Sequence, residues 1–90
     1  MNKAELVQAI AERTRIAKKD VADVVDVMMD VIAETLARGD KVQLVGFGHF
    51  EIRERRARKG RNPQTGEEIL IAASRVPAFR AGKLLREGVR

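Results

Sequence analysis

The fold is decided by the stretch Arg53-Glu54-Arg55-Arg56-Ala57-Arg58-Lys59-Gly60-Arg61-Asn62-Pro63-Gln64-Thr65-Gly66 and by Glu67-Glu68-Ile69-Leu70-Ile71, which follows it. Six of the nine residues from Arg53 to Arg61 are basic. Asn and Pro suit the first two positions of a β-turn, because Pro pre-sets φ, so the stretch is predicted to form a β-hairpin. Arginines occupy both faces of its outgoing strand, and neither face can lie in a core. The hairpin should therefore project, and something outside the chain should cover it.

The charge of the chain is divided unevenly along its length. The net charge is +5, but residues 1–40 hold six basic and eight acidic side chains, whereas residues 41–90 hold twelve basic and five acidic ones. Such a concentration indicates a binding surface for nucleic acid. The chain has only three aromatic residues, Phe47, Phe50 and Phe79, which we expect in the core. Single-stranded RNA usually stacks on exposed aromatic side chains, so its binding is possible but less expected.

Several classes of function are disfavoured by composition. The chain has no cysteine and one histidine, so neither a disulfide nor a metal site is expected. Ser74 is the only serine, and no nucleophile or acid–base set is evident. We therefore expect that the protein is not an enzyme and that it binds no cofactor and no small-molecule substrate. No apolar run is long enough for a signal peptide or a membrane span, which favours a cytoplasmic protein without membrane contact.

Two helices are predicted in the first forty residues. Asn2 and Glu5 are spaced like a capping box and open a helix that ends near Arg13 or Thr14. A second helix is predicted over residues 18–38, with Gly39 as its stop. Because this second helix is apolar around most of its circumference, ninety residues cannot cover it, and we infer an interlocked homodimer. The predicted dimer core comprises Val25, Met28, Met29, Ile32, Leu36, Leu44, Phe47, Phe50 and Phe79.

The second half of the chain is predicted to form a sheet. Residues 41–45 alternate like a half-buried strand, and Gly46-Phe47-Gly48 forms a tight connection into the next one. Val76-Pro77-Ala78-Phe79 should end the returning strand, because Pro cannot donate within a sheet. The predicted class is α+β, an intertwined dimer with a helical body, a three-stranded antiparallel sheet and a protruding β-hairpin arm. The predicted single domain, 1–90, has a helical region at about 1–40, a sheet and β-arm at about 41–76, and a C-terminal helix at about 82–90.

Three segments carry a resemblance to a known family: Val42-Gln43-Leu44-Val45-Gly46-Phe47-Gly48-His49-Phe50, Gly60-Arg61-Asn62-Pro63-Gln64-Thr65-Gly66 and Val76-Pro77-Ala78-Phe79-Arg80-Ala81-Gly82-Lys83. They closely resemble the bacterial HU/IHF family of histone-like DNA-binding proteins, over essentially all ninety residues. HU and IHF are established examples of architectural proteins that bind the minor groove. The resemblance implies an intertwined homodimer located in the nucleoid, with two β-arms that wrap bent double-stranded DNA.

The resemblance also implies roles for individual residues. Pro63 matches the proline at the arm tip that intercalates between base pairs, and Asn62 lies beside it. Gly46 and Gly48 fit a close approach of backbone to DNA. The cations that match DNA-contacting positions lie on the arm (Arg53, Arg55, Arg58, Lys59 and Arg61) and on the body (Lys3, Arg80, Lys83 and Arg86). Two alternatives remain: a site-specific DNA-bending protein of the IHF type, and an RNA- or ribosome-associated basic protein.

The connection between the two predicted helices departs from the family pattern, and so does the final helix, which Leu84 and Leu85 make more apolar than is common. Thr14-Arg15 stands where the family commonly has Ala-Gly, so the usual glycine helix stop is missing. Ala17 replaces the usual Ser or Thr cap of the second helix, a loss of about 1 kcal/mol of helix stability. The departures at Thr14-Arg15 and Ala17 are expected to reduce the local stability of the first turn and to leave the predicted DNA surface unchanged.

Overall fold

The computed structural model describes residues 1–90 as three helices and five strands. Their bounds are α1 Lys3–Thr14, α2 Lys18–Ala37, β1 Val42–Leu44, β2 Gly48–Arg55, β3 Arg58–Arg61, β4 Glu68–Ile71, β5 Ser74–Ala81 and α3 Lys83–Gly88. The chain divides into two compact units, Met1–Glu34 and Thr35–Arg90. None of the helices combines the length and apolar character needed to cross a bilayer. The predicted mixture of helices and antiparallel strands is confirmed.

The first helix begins with the predicted capping box. The Asn2 side chain accepts a hydrogen bond from the backbone N–H of Glu5 at 2.9 Å, and the Asn2 N–H donates to the Glu5 carboxylate at 3.4 Å. These bonds satisfy amides that the first turn of a helix leaves without a partner. The predicted start and end of α1 are both confirmed.

Arg15 closes α1 in a conformation that favours glycine. Its φ is 61° and its ψ 21°, in the left-handed region, and its N–H donates to the carbonyl of Ala11 at 2.8 Å. It is the only non-glycine residue of the chain with positive φ. The helix therefore stops as a glycine-terminated helix would, and the arginine carries the strain of a left-handed backbone.

Replacing Arg15 by glycine is expected to stabilise the protein by about 1 kcal/mol, because the glycine adopts this backbone without the Cβ penalty. Part of the gain is offset by the greater freedom of glycine in the unfolded chain. Denaturant unfolding at one fixed protein concentration measures the effect. Arg15→Ala is the control, since alanine also removes the side chain but keeps the Cβ. An equal gain in both variants would show that the arginine side chain, and not its backbone, is unfavourable.

The N-terminal unit has a small core between its helices. Val7 and Ala11 of α1 pack with Val21 and Val25 of α2, and Ile10 and Ala22 flank this cluster. Asp23, Asp26 and Asp30 of α2 lie on a different side of the helix. A third side carries apolar side chains that stay exposed, Val24 at 68%, Val27 at 57% and Met28 at 48%. Residues 24, 27 and 28 share one face at helical spacing, so one chain leaves an apolar stripe of α2 uncovered.

The second unit contains the predicted three-stranded antiparallel sheet, in the order β1-β2-β5. Leu44 lies opposite Gly48, and Gly48 lies opposite Ala81. The expectation that Val76-Pro77-Ala78-Phe79 ends the strand is wrong, because β5 continues to Ala81 and Pro77 pairs with Ile52 within it. β5 is an edge strand, where a missing N–H can face away from the sheet. The sheet therefore extends beyond the predicted boundary at residue 76.

The three phenylalanines form one cluster. The ring centroids of Phe50 and Phe79 lie 4.9 Å apart, and those of Phe47 and Phe79 lie 5.7 Å apart. These are ordinary distances for favourable aromatic pairs. Phe47 and Phe79 nevertheless remain about half exposed in a single chain, as does Leu44. Of the residues predicted for the dimer core, only Val25 and Leu36 are buried within a single chain.

Candidate nucleic-acid interface

The basic stretch forms the predicted hairpin. Strands β2 and β5 pair as far as Arg55 and Ser74, and pairing resumes between β3 and β4 at Arg58 and Ile71. Two residues on each strand, 56–57 and 72–73, lie between the two ladders and belong to no strand. Because the two strands leave equal numbers of residues unpaired, the register between β2 and β5 continues unchanged between β3 and β4. One long hairpin therefore carries the basic stretch away from the three-stranded sheet.

The tip of the hairpin is held by Asn62. Its backbone N–H donates to the carbonyl of Glu67 at 2.8 Å, and its carbonyl accepts from Gly66 at 2.7 Å. Its side-chain oxygen also accepts from the N–H of Gln64 at 2.9 Å, so Asn62 organises the turn from both ends. Pro63 follows it and is exposed. None of these bonds involves an atom of Pro63, whose ring is left available at the apex.

The arm cations have no acidic partner beyond the base of the hairpin. Arg55, Arg58, Lys59 and Arg61 are all exposed, and none forms an ion pair within the chain. Across the ladder, Arg58 lies opposite Ile71 and Lys59 lies opposite Leu70. Apolar neighbours of this kind support the aliphatic stems of Arg and Lys while the charged ends remain in solvent. The arm therefore presents cations that are free to bind an anionic ligand.

The turn between β1 and β2 anchors the final helix. The Gly46 carbonyl accepts from the N–H groups of Leu84 at 3.1 Å and Leu85 at 3.3 Å, and the Phe47 carbonyl accepts from Gly82 at 2.7 Å. Gly46 has a φ of 82°, and a Cβ on Gly82 would lie 2.7 Å from the Gly46 oxygen. Such a separation is too close for any other residue at position 82. This packing fixes the start of α3, on which Lys83 and Arg86 are exposed.

Glu51 gathers three basic side chains on one face of the sheet. Its carboxylate lies 3.3 Å from His49 Nε2, 3.4 Å from Arg53 Nε and 3.7 Å from an Arg80 terminal nitrogen. His49 and Arg53 flank Glu51 at alternate positions of β2, whereas Arg80 comes from β5, where it lies opposite His49. Burial alone would raise the pKa of Glu51, but the hydrogen bonds from His49 and Arg53 and the charge of Arg80 together lower it.

Lys3 is the predicted site cation in the N-terminal unit. Its ammonium group forms an ion pair with the Asp26 carboxylate of α2, and both side chains are about half exposed. The pair lies beside the open groove lined by Lys18, Lys19 and residues of α1. In the free chain Lys3 is therefore already paired with a carboxylate.

The predicted site residues thus fall into separate groups. The second unit brings together the arm cations, the tip and the Gly46–Gly82 corner, while Lys3 belongs to the first unit. Reasoning from the sequence missed Glu51 and Asp26 as partners of site cations. Residues 49, 51 and 53 alternate along one predicted strand and therefore lie on the same face, and this spacing could have indicated part of the Glu51 cluster. Arg80 could not be placed there without the register of β5.

The whole chain matches a known family model. Residues 1–90 match the family described as "Bacterial DNA-binding protein". The chain is 64% identical over 90 residues to DNA-binding protein HU-1 of Halalkalibacterium halodurans, which covers 100% of both chains. It is 60% identical over 90 residues to DNA-binding protein HU of Geobacillus stearothermophilus, again over 100% of both chains.

Solved structures have the same fold. A cocrystal structure of Anabaena HU with DNA superimposes with a TM-score of 0.91 at 56% identity, covering 99% of this chain and 97% of that chain. HU from Thermotoga maritima gives a TM-score of 0.73 at 37% identity, over 100% of both chains. The first of these structures contains DNA, which is the class of ligand that the charge of the hairpin favours.

Proposed function

Because the chain belongs to the bacterial DNA-binding protein family, we propose that it is a homodimeric, histone-like protein that bends and compacts double-stranded DNA. The observation that carries this proposal is the long cationic hairpin with an exposed proline at its tip. The 60% identity to DNA-binding protein HU of Geobacillus stearothermophilus supports it, and so does the superposition on the Anabaena HU–DNA complex. The protein would be associated with the nucleoid and would act by binding, without catalysis.

In this mechanism the arm binds in the minor groove. The cations would contact phosphates and groove edges, and Pro63 would insert between two base pairs and unstack them. Unstacking one step costs a few kcal/mol, and the bent DNA offsets this cost by contacting more basic surface. Arg suits the minor groove especially where the groove is narrow and its potential most negative. Asn62 would act indirectly, by holding the turn that presents Pro63.

The proposed DNA contacts extend from the arm to the body. Phosphates flanking the arm would meet Lys3, Arg80 and the cations of α3, while Gly46 and Gly48 permit close backbone packing at the base of the sheet. The full proposed set is Lys3, Gly46, Gly48, Arg53, Arg55, Arg58, Lys59, Arg61, Asn62, Pro63, Arg80, Lys83 and Arg86. For Lys3, contact with DNA would break the ion pair with Asp26.

A dimer would supply the second arm. The stripe of Val24, Val27 and Met28 on α2 is exposed in one chain, and an apolar surface of this kind is typical of an obligate interface. The half-exposed rings of Phe47 and Phe79 give a second reason for a partner in the other unit. Self-association through these surfaces would place two copies of the hairpin on one molecule.

Little sequence preference is expected. The arm offers cations and a proline but few groups that can read base edges, and the minor-groove pattern of donors and acceptors is degenerate. A site-specific bending protein would instead bind one duplex about 10³-fold more tightly than random DNA.

The proposal is tested by titrating the protein with duplex DNA at several salt concentrations. Binding should weaken steeply, with a log–log slope that grows by about 0.9 for each phosphate neutralised, and be steeper than about −5 for a protein making 6–10 phosphate contacts. Single-stranded RNA of the same length is the competitor. A shallow salt dependence would contradict wrapping by the arms. A clear preference for the RNA would instead favour an RNA-associated protein.

A further inference from the structure

Glu51 is the one carboxylate embedded among the proposed DNA-binding cations of the sheet. Its side chain is 15% exposed, whereas those of Arg53 and Arg80 are 55% and 63% exposed. The carboxylate is therefore largely shielded from solvent, whereas both arginines remain accessible to a ligand. Glu51 pairs with both guanidinium groups, at 3.4 and 3.7 Å.

The geometry makes Glu51 a competitor of DNA phosphate. Its Oε1 accepts a hydrogen bond from Arg53 Nε and also forms the ion pair with Arg80, so one carboxylate oxygen interacts with two arginines. Its other oxygen faces His49 Nε2. A DNA phosphate that binds both arginines must weaken their interactions with Glu51 and must also lie near the negative charge of the Glu51 carboxylate. Each exposed ion pair that is broken costs up to about fivefold in binding.

We propose that Glu51 limits the affinity of the protein for DNA by holding Arg53 and Arg80 in the free state and competing with phosphate for them. This inference rests on the proposed function and adds a residue to it. Glu51 touches no DNA in this scheme and acts through the two arginines. In the free protein its negative charge offsets the repulsion between the two guanidinium groups.

The two roles of Glu51 have opposite consequences. In the free protein the carboxylate is stabilising, because His49, Arg53 and Arg80 lower its pKa despite partial burial. A carboxyl group with a lowered folded-state pKa contributes stability above its unfolded-state pKa, and this contribution is lost as the pH falls through the folded-state value. Toward DNA the same carboxylate is unfavourable. Removing its charge should therefore destabilise the free protein and strengthen DNA binding.

The test compares Glu51→Gln with Glu54→Gln. Glu54 is a neighbour on the same strand, is exposed, and forms no ion pair within the chain, so both variants remove one negative charge from the same region. Glu51→Gln is expected to bind a random duplex about three- to tenfold more tightly than wild type, and Glu54→Gln less than about twofold more tightly. Glu51→Gln should also unfold at lower denaturant concentration than wild type at neutral pH, with the difference disappearing in acid.

The outcomes separate this inference from the proposed function. Tighter DNA binding together with lower stability in Glu51→Gln, and not in Glu54→Gln, supports competition. Equal gains in DNA binding for both variants would overturn it, since general charge would then be the cause. Weaker DNA binding by Glu51→Gln would also overturn it, because the carboxylate would then orient the arginines productively. If wild type itself fails to bind duplex DNA, the proposed function fails before Glu51 is considered.

Discussion

Pro63→Ala is expected to abolish most of the bend that the protein imposes on duplex DNA. The hydrogen bonds of the arm tip run through Asn62, Gln64, Gly66 and Glu67, so the turn should persist without the proline ring. The variant would lose the apolar wedge that unstacks a base step, and kinks of this type span about 20–90°. Energy transfer between dyes at the two duplex ends measures the bend. The affinity of Pro63→Ala for a duplex that is already kinked should differ from that of wild type by less than about threefold, because the base step in such a duplex is already unstacked.

Pro77→Ala provides the matched control. The chain has two prolines, and Pro77 lies within the edge strand β5, opposite Ile52. Its replacement should leave the bend unchanged, because no role at the tip is lost. Normal bending by Pro63→Ala would reduce Pro63 to an ordinary turn residue. Equal losses in both variants would indicate a general effect on the hairpin.

Val24→Glu is expected to destabilise the folded protein by about 3 kcal/mol or more, which is the scale for a charge buried without a partner. Val24 is 68% exposed in one chain and lies in the apolar stripe of α2. If the protein were a monomer, the substitution would fall on an open helix surface, where changes usually stay within about 0.5 kcal/mol. The size of the effect therefore reports whether a second chain covers the stripe.

Sedimentation and denaturant unfolding, at matched protein concentrations, measure this effect. Ala33→Glu is the control, since it adds the same charge to an exposed position of α2 on the side of Asp30. It should retain the dimer. A Val24→Glu protein that remains folded and dimeric would show that the interface lies elsewhere on the surface.

Local features of the fold were predictable from the sequence. The capping box at Asn2, the start of α2 and the hairpin reversal at Asn62 depend on neighbours within a few residues, and the structure has each of them. The prediction of a partner for α2 also came from a local pattern, the confinement of its acidic residues to one narrow stripe with apolar surface around most of the circumference. The residue roles assigned by resemblance to the HU/IHF family stay predictions until variants test them.

Features that depend on the register of strands or on packing were not predictable. The rule that proline ends a strand predicts a stop at Pro77, but the rule does not hold for an edge strand, and β5 is known to be an edge only from the strand order. The pairing of Glu51 with Arg80 joins two strands, and that of Lys3 with Asp26 joins two helices. The left-handed backbone of Arg15 was unexpected for a different reason. The helix stops at the same place although the residue that favours this conformation is absent.

The proposed function requires a dimer of this chain to bend DNA with its two hairpin arms. Energy transfer between the ends of a short duplex of random sequence, titrated with wild-type protein, tests it most directly. Energy transfer is expected to rise in step with binding and to reach a plateau at two chains per duplex, and both responses should weaken steeply as salt increases. Saturated binding with no change in energy transfer, or a plateau at one chain per duplex, would contradict it.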